Sequence, residues 1–173
     1  MAGRVTFDGD EMPVTADELV LAVDVERSWG AVFRFSMSST GEFFAELVET
    51  RQVSQGRWEE IGSGGAHGRW DTPWRRPAQA SDGPCLDVML STWSSGDDPQ
   101  TGECALVAVA GFAARPVAGI RVEHGADVRS VVPSNIGAFA VIALVGDSTV
   151  RLTPLGATGE ACGETLDVPE PNW

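Results

Sequence analysis

The chain has 173 residues, of which 43% are hydrophobic and 21% charged. Twenty-five carboxylates against twelve basic side chains give a net charge of -13; all twelve are arginine, and the chain has neither lysine nor tyrosine. The missing lysine excludes a phosphate-loop lysine, a Schiff base, a kinase-type ATP contact and a lysine general base, and two histidines are too few for a three-histidine zinc site.

Charge is unevenly spread. Residues 1–60 and 84–173 each carry a balance of -7, whereas 61–83 hold Arg69, Arg75 and Arg76 against Asp71 and Asp82, a balance of +1. An acidic surface repels phosphate backbones, so a nucleic-acid partner is not expected. The opening residues carry Asp8, Asp10, Glu11, Asp17 and Glu18, unlike the positive start and apolar run of a secretory signal. The longest apolar run, residues 138–145, is far shorter than the roughly 20 residues of a spanning helix. The expectation is a soluble, cytoplasmic chain with no membrane partner, unless a leader has been trimmed. Cys85, Cys104 and Cys162 form an odd set without C-x-x-C spacing, which suits reduced thiols acting as small buried hydrophobes.

In chain order, short apolar or alternating runs are punctuated by Gly, Pro, Asn and Ser, the pattern of an all-β protein. Residues 18–26 set Leu19, Leu21, Val23 and Val25 against Val20, Ala22, Asp24 and Glu26. Residues 31–37 place Ala31, Phe33, Phe35 and Met37 on one face and Val32, Arg34 and Ser36 on the other. Residues 42–53 fit a strand or a helix, and Gln55-Gly56 leads to a strand at 57–61 through a hairpin loop. From 62 to 83 the alternation collapses into a Gly/Pro/Trp/Arg-rich stretch, which reads as a long irregular loop.

Strands resume at 85–93 and 104–112. Paired across a polar turn at 94–103, they set Trp93 opposite Cys104 and Cys85 opposite Phe112. Cys85 then lies roughly 26 Å from Cys104 along the ladder, too far for a bridge. Runs at 118–123, 127–132, 138–145, 149–155 and 161–168 follow, spaced as in a β-sandwich. Residues 138–145 are apolar throughout and read as a central strand covered on both faces. The tail at 169–173 reads as frayed.

Catalytic patterns are scarce. No serine has the Gly-x-Ser-x-Gly spacing, Ser63 being a near miss. His67 and His124 each adjoin glycine, where solvated turn residues are expected. The glycines at 62, 64, 65 and 68 miss the dinucleotide fingerprint because position 67 is histidine. Asp97, Asp98 and Glu103 lack the alternating spacing of a calcium loop. Glu59 and Glu60 are adjacent on a strand and point to opposite faces, so they make a poor glycosidase pair. No cofactor and no metal site is expected.

One constellation combines charge with aromatic area: His67 to Arg76 reads HGRWDTPWRR. Arg69, Trp70, Trp74, Arg75 and Arg76 form the candidate binding set, because tryptophan and arginine dominate binding hot spots and stack on one another. The competing reading folds both tryptophans back as a lid over one end of the sandwich, with the arginines neutralising acids nearby.

GRWEEIGSGGAHG resembles a W-x-x-(I/L)-G-x-G-G element of small uncharacterised β-rich proteins of high-GC bacteria. Residues 118–160 are similar to the later part of those proteins through Val132-Pro133, Gly137 and Phe139; Gly156-Ala157-Thr158-Gly159 departs from their usual aspartate at that turn. The resemblance implies an immunoglobulin-like or related sandwich and carries no activity.

The expectation is a single all-β domain over 1–168, a mostly antiparallel β-sandwich of about nine to eleven strands, with two lobes divided near 63–83 as the alternative. The function expected is a non-catalytic binding or protein-interaction module, with a protein partner, self-association, or a small-molecule or glycan ligand. The alternatives are a hydrolase or glycan-active enzyme assembled from distant residues, and an acidic inhibitor or immunity-type partner of a basic protein.

Overall fold

The computed structural model describes residues 5–6, 9–12, 18–69, 74–77, 85–98, 102–145 and 149–168, with side chains for all of these except 95–98 and 102–105. Among the described residues there are eleven strands and no helix. They are β1 (Leu19–Glu26), β2 (Trp29–Met37), β3 (Glu42–Ser54), β4 (Arg57–Arg69), β5 (Leu86–Asp98), β6 (Gly102–Ala113), β7 (Gly119–His124), β8 (Asp127–Val131), β9 (Ala138–Val145), β10 (Val150–Leu155) and β11 (Leu166–Val168). Every pairing is antiparallel, in three sheets ordered β1-β2-β3-β4, β5-β6-β9 and β11-β10-β7-β8.

The sheet β5-β6-β9 lies in the middle. Even-numbered residues of its inner strands, Leu106, Ala108, Ala110 and Phe112 on β6 and Ala138, Ala140 and Ile142 on β9, pack with Phe33, Phe35 and Leu47 of the first sheet. Odd-numbered neighbours, Val107, Val109, Phe139, Val141, Ala143 and Val145, pack with Ile120, Val122, Val150 and Leu152 of the third. Period-two alternation therefore feeds two cores from one sheet. The all-β sandwich is thus three layers deep, one more than the pair of sheets in an immunoglobulin domain. β9 is covered on both faces as its composition implies, buried at all but one position, but the central place expected for it belongs to β6.

β9 is the edge strand of this sheet, and its open backbone groups need partners. Fully buried Asp24 of β1 accepts from the Ile142 N–H at 2.9 Å, and Arg129 Nη2 of β8 donates to the Ile142 carbonyl at 2.6 Å. Arg129 and Asp24 are joined to each other through both nitrogens of the guanidinium fork, Nη1 to Oδ1 at 2.9 Å and Nη2 to Oδ2. A second buried acid, Glu49 of β3, accepts from the hydroxyls of Thr92 and Ser94 on β5 at 2.5 and 2.7 Å, linking the first sheet to the middle one.

Four local expectations differ from the structure, one being the run at 161–168, which forms a strand only at Leu166–Val168. The alternation of β1 breaks at a bulge between Val20 and Ala22, so Leu21 and Ala22 are both buried. The β5–β6 ladder runs to Asp98 and Gly102, which sets Trp93 opposite Val107, and Asp87 opposite Phe112. Polar residues there extend the strands because ladder bonds need only backbone. Lastly, β4 continues through Arg69, well into the stretch read as irregular. Its glycines make room for neighbours: a Cβ on Gly68 would meet the Phe43 ring at 2.7 Å, one on Gly65 the Phe44 ring at 2.9 Å, and one on Gly64 the Thr92 methyl at 2.8 Å.

Cys85 and Cys162 are free thiols, and the Cys85 thiol donates to the Cys162 carbonyl at 3.2 Å. Burial, and then the neighbouring Cys85, push the Cys162 thiol pKa up. The frayed tail and the side chain of Cys104 lie outside the described residues.

Candidate functional site

The arginine and tryptophan set divides. Arg69 ends β4, exposed, opposite Glu42 of β3. Trp70 lies outside the described residues. Trp74 is half-buried and packs on Phe112, ring centroids 4.3 Å apart, while its carbonyl accepts from the Met12 N–H at 3.2 Å. Arg75 is exposed and ion-paired with Glu11, Nη2 to Oε1 at 2.5 Å. Arg76 turns inward and donates to four carbonyls: Nε to Ala113 at 3.0 Å, Nη2 to Ala114 at 2.9 Å and to Val117 at 2.7 Å, and Nη1 to Asn135 at 3.4 Å. Burial lowers its pKa, yet a guanidinium stays protonated and supplies up to five donors. Trp74 and Arg76 therefore close one corner of the fold, whereas Arg69 and Arg75 reach solvent.

A groove of about 580 Å³ opens at one end of the first sheet. Two neighbouring cross-strand rows build it, Met37–Phe43–Gly68 and Ser36–Phe44–His67, each contributed by β2, β3 and β4. Phe43 stacks on Phe35 at 5.2 Å between centroids, so the groove floor continues the core. Phe44 points to the other face of β3 and is 44% exposed, with the His67 ring 6.1 Å away and tilted. Ser38, in the β2–β3 turn, closes that turn by accepting at its Oγ from the Glu42 N–H at 3.2 Å and by donating its own N–H to the Glu42 carbonyl at 2.8 Å. This fixes Glu42 at the mouth, opposite Arg69.

Beyond Phe44 a smaller depression is lined by Arg34, Glu18 and Glu46. Arg34 Nη2 lies 2.7 Å from Glu46 and 3.9 Å from Glu60, and its Nη1 lies 3.3 Å from Glu18. Partial burial works against the Arg34 charge, but the hydrogen bond to Glu46 and the attraction of the three acids outweigh it and raise its pKa. Around Phe44, four carboxylates (Glu18, Glu42, Glu46, Glu60) thus face two guanidiniums (Arg34, Arg69). The groove residues other than His67 carry no signal in the sequence; Phe43 and Phe44 read as ordinary strand residues.

The two histidines part ways as well. His67 is exposed at the groove as expected, but within strand β4 and not in a turn. His124 is instead buried, as the last residue of β7, with Nε2 3.4 Å from Glu26 Oε2 of β1. The partner that buries it comes from 98 residues earlier in the chain, which local sequence does not signal. No family model, curated protein or solved structure matches this chain.

Proposed function

We propose that the protein is a non-catalytic binding module whose contact surface is the groove around Phe44 and His67. One observation carries this reading: a large aromatic side chain, nearly half exposed, stands over an open groove of ligand size. The excess of carboxylates around that ring favours a ligand with an apolar body and a positive group, which can lie on the Phe44 face while pairing with Glu42 or Glu46. This joins the interaction-module expectation to the acidic one, a basic partner for an acidic protein. Of the described members of the arginine and tryptophan set, Arg69 stands beside the groove, opposite Glu42 on the neighbouring strand. A cytoplasmic setting is part of the same proposal, supported by the odd, unspaced cysteine set. No helix among the described residues is long and apolar enough to cross a membrane.

The test is a titration of isotope-labelled protein with an arginine-rich amphipathic peptide and with its glutamate analogue. Expected are amide shifts along the 36–38, 42–44 and 67–69 rows with the basic peptide only, weakened by salt and by Phe44→Ala. Shifts centred elsewhere, or equal binding by Phe44→Ala, would remove the groove from the account.

A further inference from the structure

The contact between Glu26 and His124 belongs to a second cluster, away from the groove. β1 ends at Glu26, β7 ends at His124, and β8 begins at Asp127. His124 and Asp127 are register partners across a two-residue turn whose first residue, Gly125, has φ 56°; glycine is favoured at this left-handed position. One ligand atom from each of Glu26, His124 and Asp127 lies within 4.8 Å of the others.

Two of these atoms are unsatisfied. The His124 side chain is 4% exposed and that of Glu26 12%, yet neither His124 Nε2 nor Glu26 Oε2 has a hydrogen-bond partner among the described residues. Leaving such atoms unmatched costs about 1–3 kcal/mol each, so a buried pair of them calls for a missing partner. Their separation indicates its size. Ligand atoms held tetrahedrally at about 2.1 Å from a zinc ion sit about 3.4 Å apart, and Nε2 and Oε2 are 3.4 Å apart.

Charge agrees. Arg129 is matched by Asp24 through both terminal nitrogens, while its Nε, which has no hydrogen-bond partner among the described residues either, lies 3.6 Å from Glu26 Oε2 and sets one positive charge beside the cluster. Asp24, Glu26 and Asp127 together set three carboxylates against that one guanidinium, an excess of two negative charges for a divalent ion. Asp127 is exposed, so its carboxylate is free to rotate onto the ion and leaves one position facing solvent.

We infer that Glu26, His124 and Asp127 form a binding site for a divalent ion of the zinc type. The ion clips the β1–β2 hairpin of one outer sheet to the β7–β8 hairpin of the other, past the edge of β9. One imidazole with two carboxylates suits zinc; magnesium, which prefers oxygen ligands in octahedral geometry, fits poorly. The ion stabilises the folded chain because the three ligands converge only there.

The test uses the full-length chain, reduced and stripped of metal with a chelator, titrated with zinc chloride by calorimetry and followed by thermal unfolding. Expected are one zinc ion per chain, a raised melting temperature, no heat with magnesium, and a cobalt(II) spectrum free of thiolate charge-transfer bands. Asp127→Asn, at an exposed position, and Glu26→Gln each weaken zinc binding by about tenfold or more, and His124→Gln abolishes it. Should His124→Gln fail to fold, the other two variants decide. Absence of saturation at millimolar zinc, unchanged affinity in both carboxamide variants, or thiolate bands from the cysteines would each overturn the assignment.

Discussion

β9 and β4 are both strands at the edge of a sheet, and they are built on opposite plans. β9 carries its burial in its own side chains: eight apolar residues alternate between two cores. β4 has thirteen residues and is exposed along most of its length; at Gly64, Gly65 and Gly68 the volume is supplied by Thr92, Phe44 and Phe43 instead. A strand declares itself in sequence when its own side chains do the packing. Where a neighbour's ring lies over bare backbone, the same conformation reads as a loop.

Substitutions can break this contrast, the largest effect coming first. Phe139→Ala empties a fully buried site in β9 and is expected to cost about 3–5 kcal/mol in denaturant unfolding. Asp24→Ala strips the edge of β9, leaving the Ile142 N–H unbonded and Arg129 without its counter-charge. Because Arg129 keeps some solvent access, the expected loss is about 3 kcal/mol, at the low end for a broken buried pair. In β4, Gly68→Ala drives a Cβ into the Phe43 ring, which stacks on Phe35. We expect a net loss of about 1 kcal/mol, overpacking being partly offset by the lower entropy of the unfolded chain. In the Phe43→Ala background that loss should vanish, and a double-mutant cycle measures the coupling. Strictly additive effects would mean that the ring does not cover the glycine.

The smallest effect concerns pH. The Cys162 thiol pKa is raised in the folded chain, first by burial and then by Cys85. A raised folded pKa contributes stability that is fully present below the unfolded value and is lost as pH rises through the folded one. Alkaline solution above the ordinary thiol range, near 9.0, should therefore destabilise the protein slightly, and Cys162→Ser should flatten that slope in unfolding curves taken from neutral to alkaline pH.

Much of the architecture was legible in the sequence. The two faces of β2 are as alternation predicts, with Ala31, Phe33, Phe35 and Met37 all buried. The uninterrupted apolar run of β9 announces a strand covered on both faces, but not its place at the edge of the middle sheet, since side chains report the faces of a strand and not its backbone neighbours. Layer number was not legible, because an apolar run states that both faces are covered without saying by what. The β5–β6 register differs from the expected one because its ends are polar, and backbone pairing leaves no composition signal there. For the candidate sites, Trp74 and Arg76 show the limit of composition: the residue types that make good contact surfaces also make good corner fastenings. Phe44 draws notice only once its side of the sheet is known to face solvent. His124 next to glycine reads as a turn residue until β1 brings Glu26 against it.

The shared middle sheet has one more consequence. Val141 and Ile142 are joined by a peptide bond yet line different hydrophobic interiors, so the sheet acts as a party wall between two rooms. Probes attached at successive positions along β6 or β9 would report alternately on the two rooms. Damage to either side must weaken the wall on which the other depends.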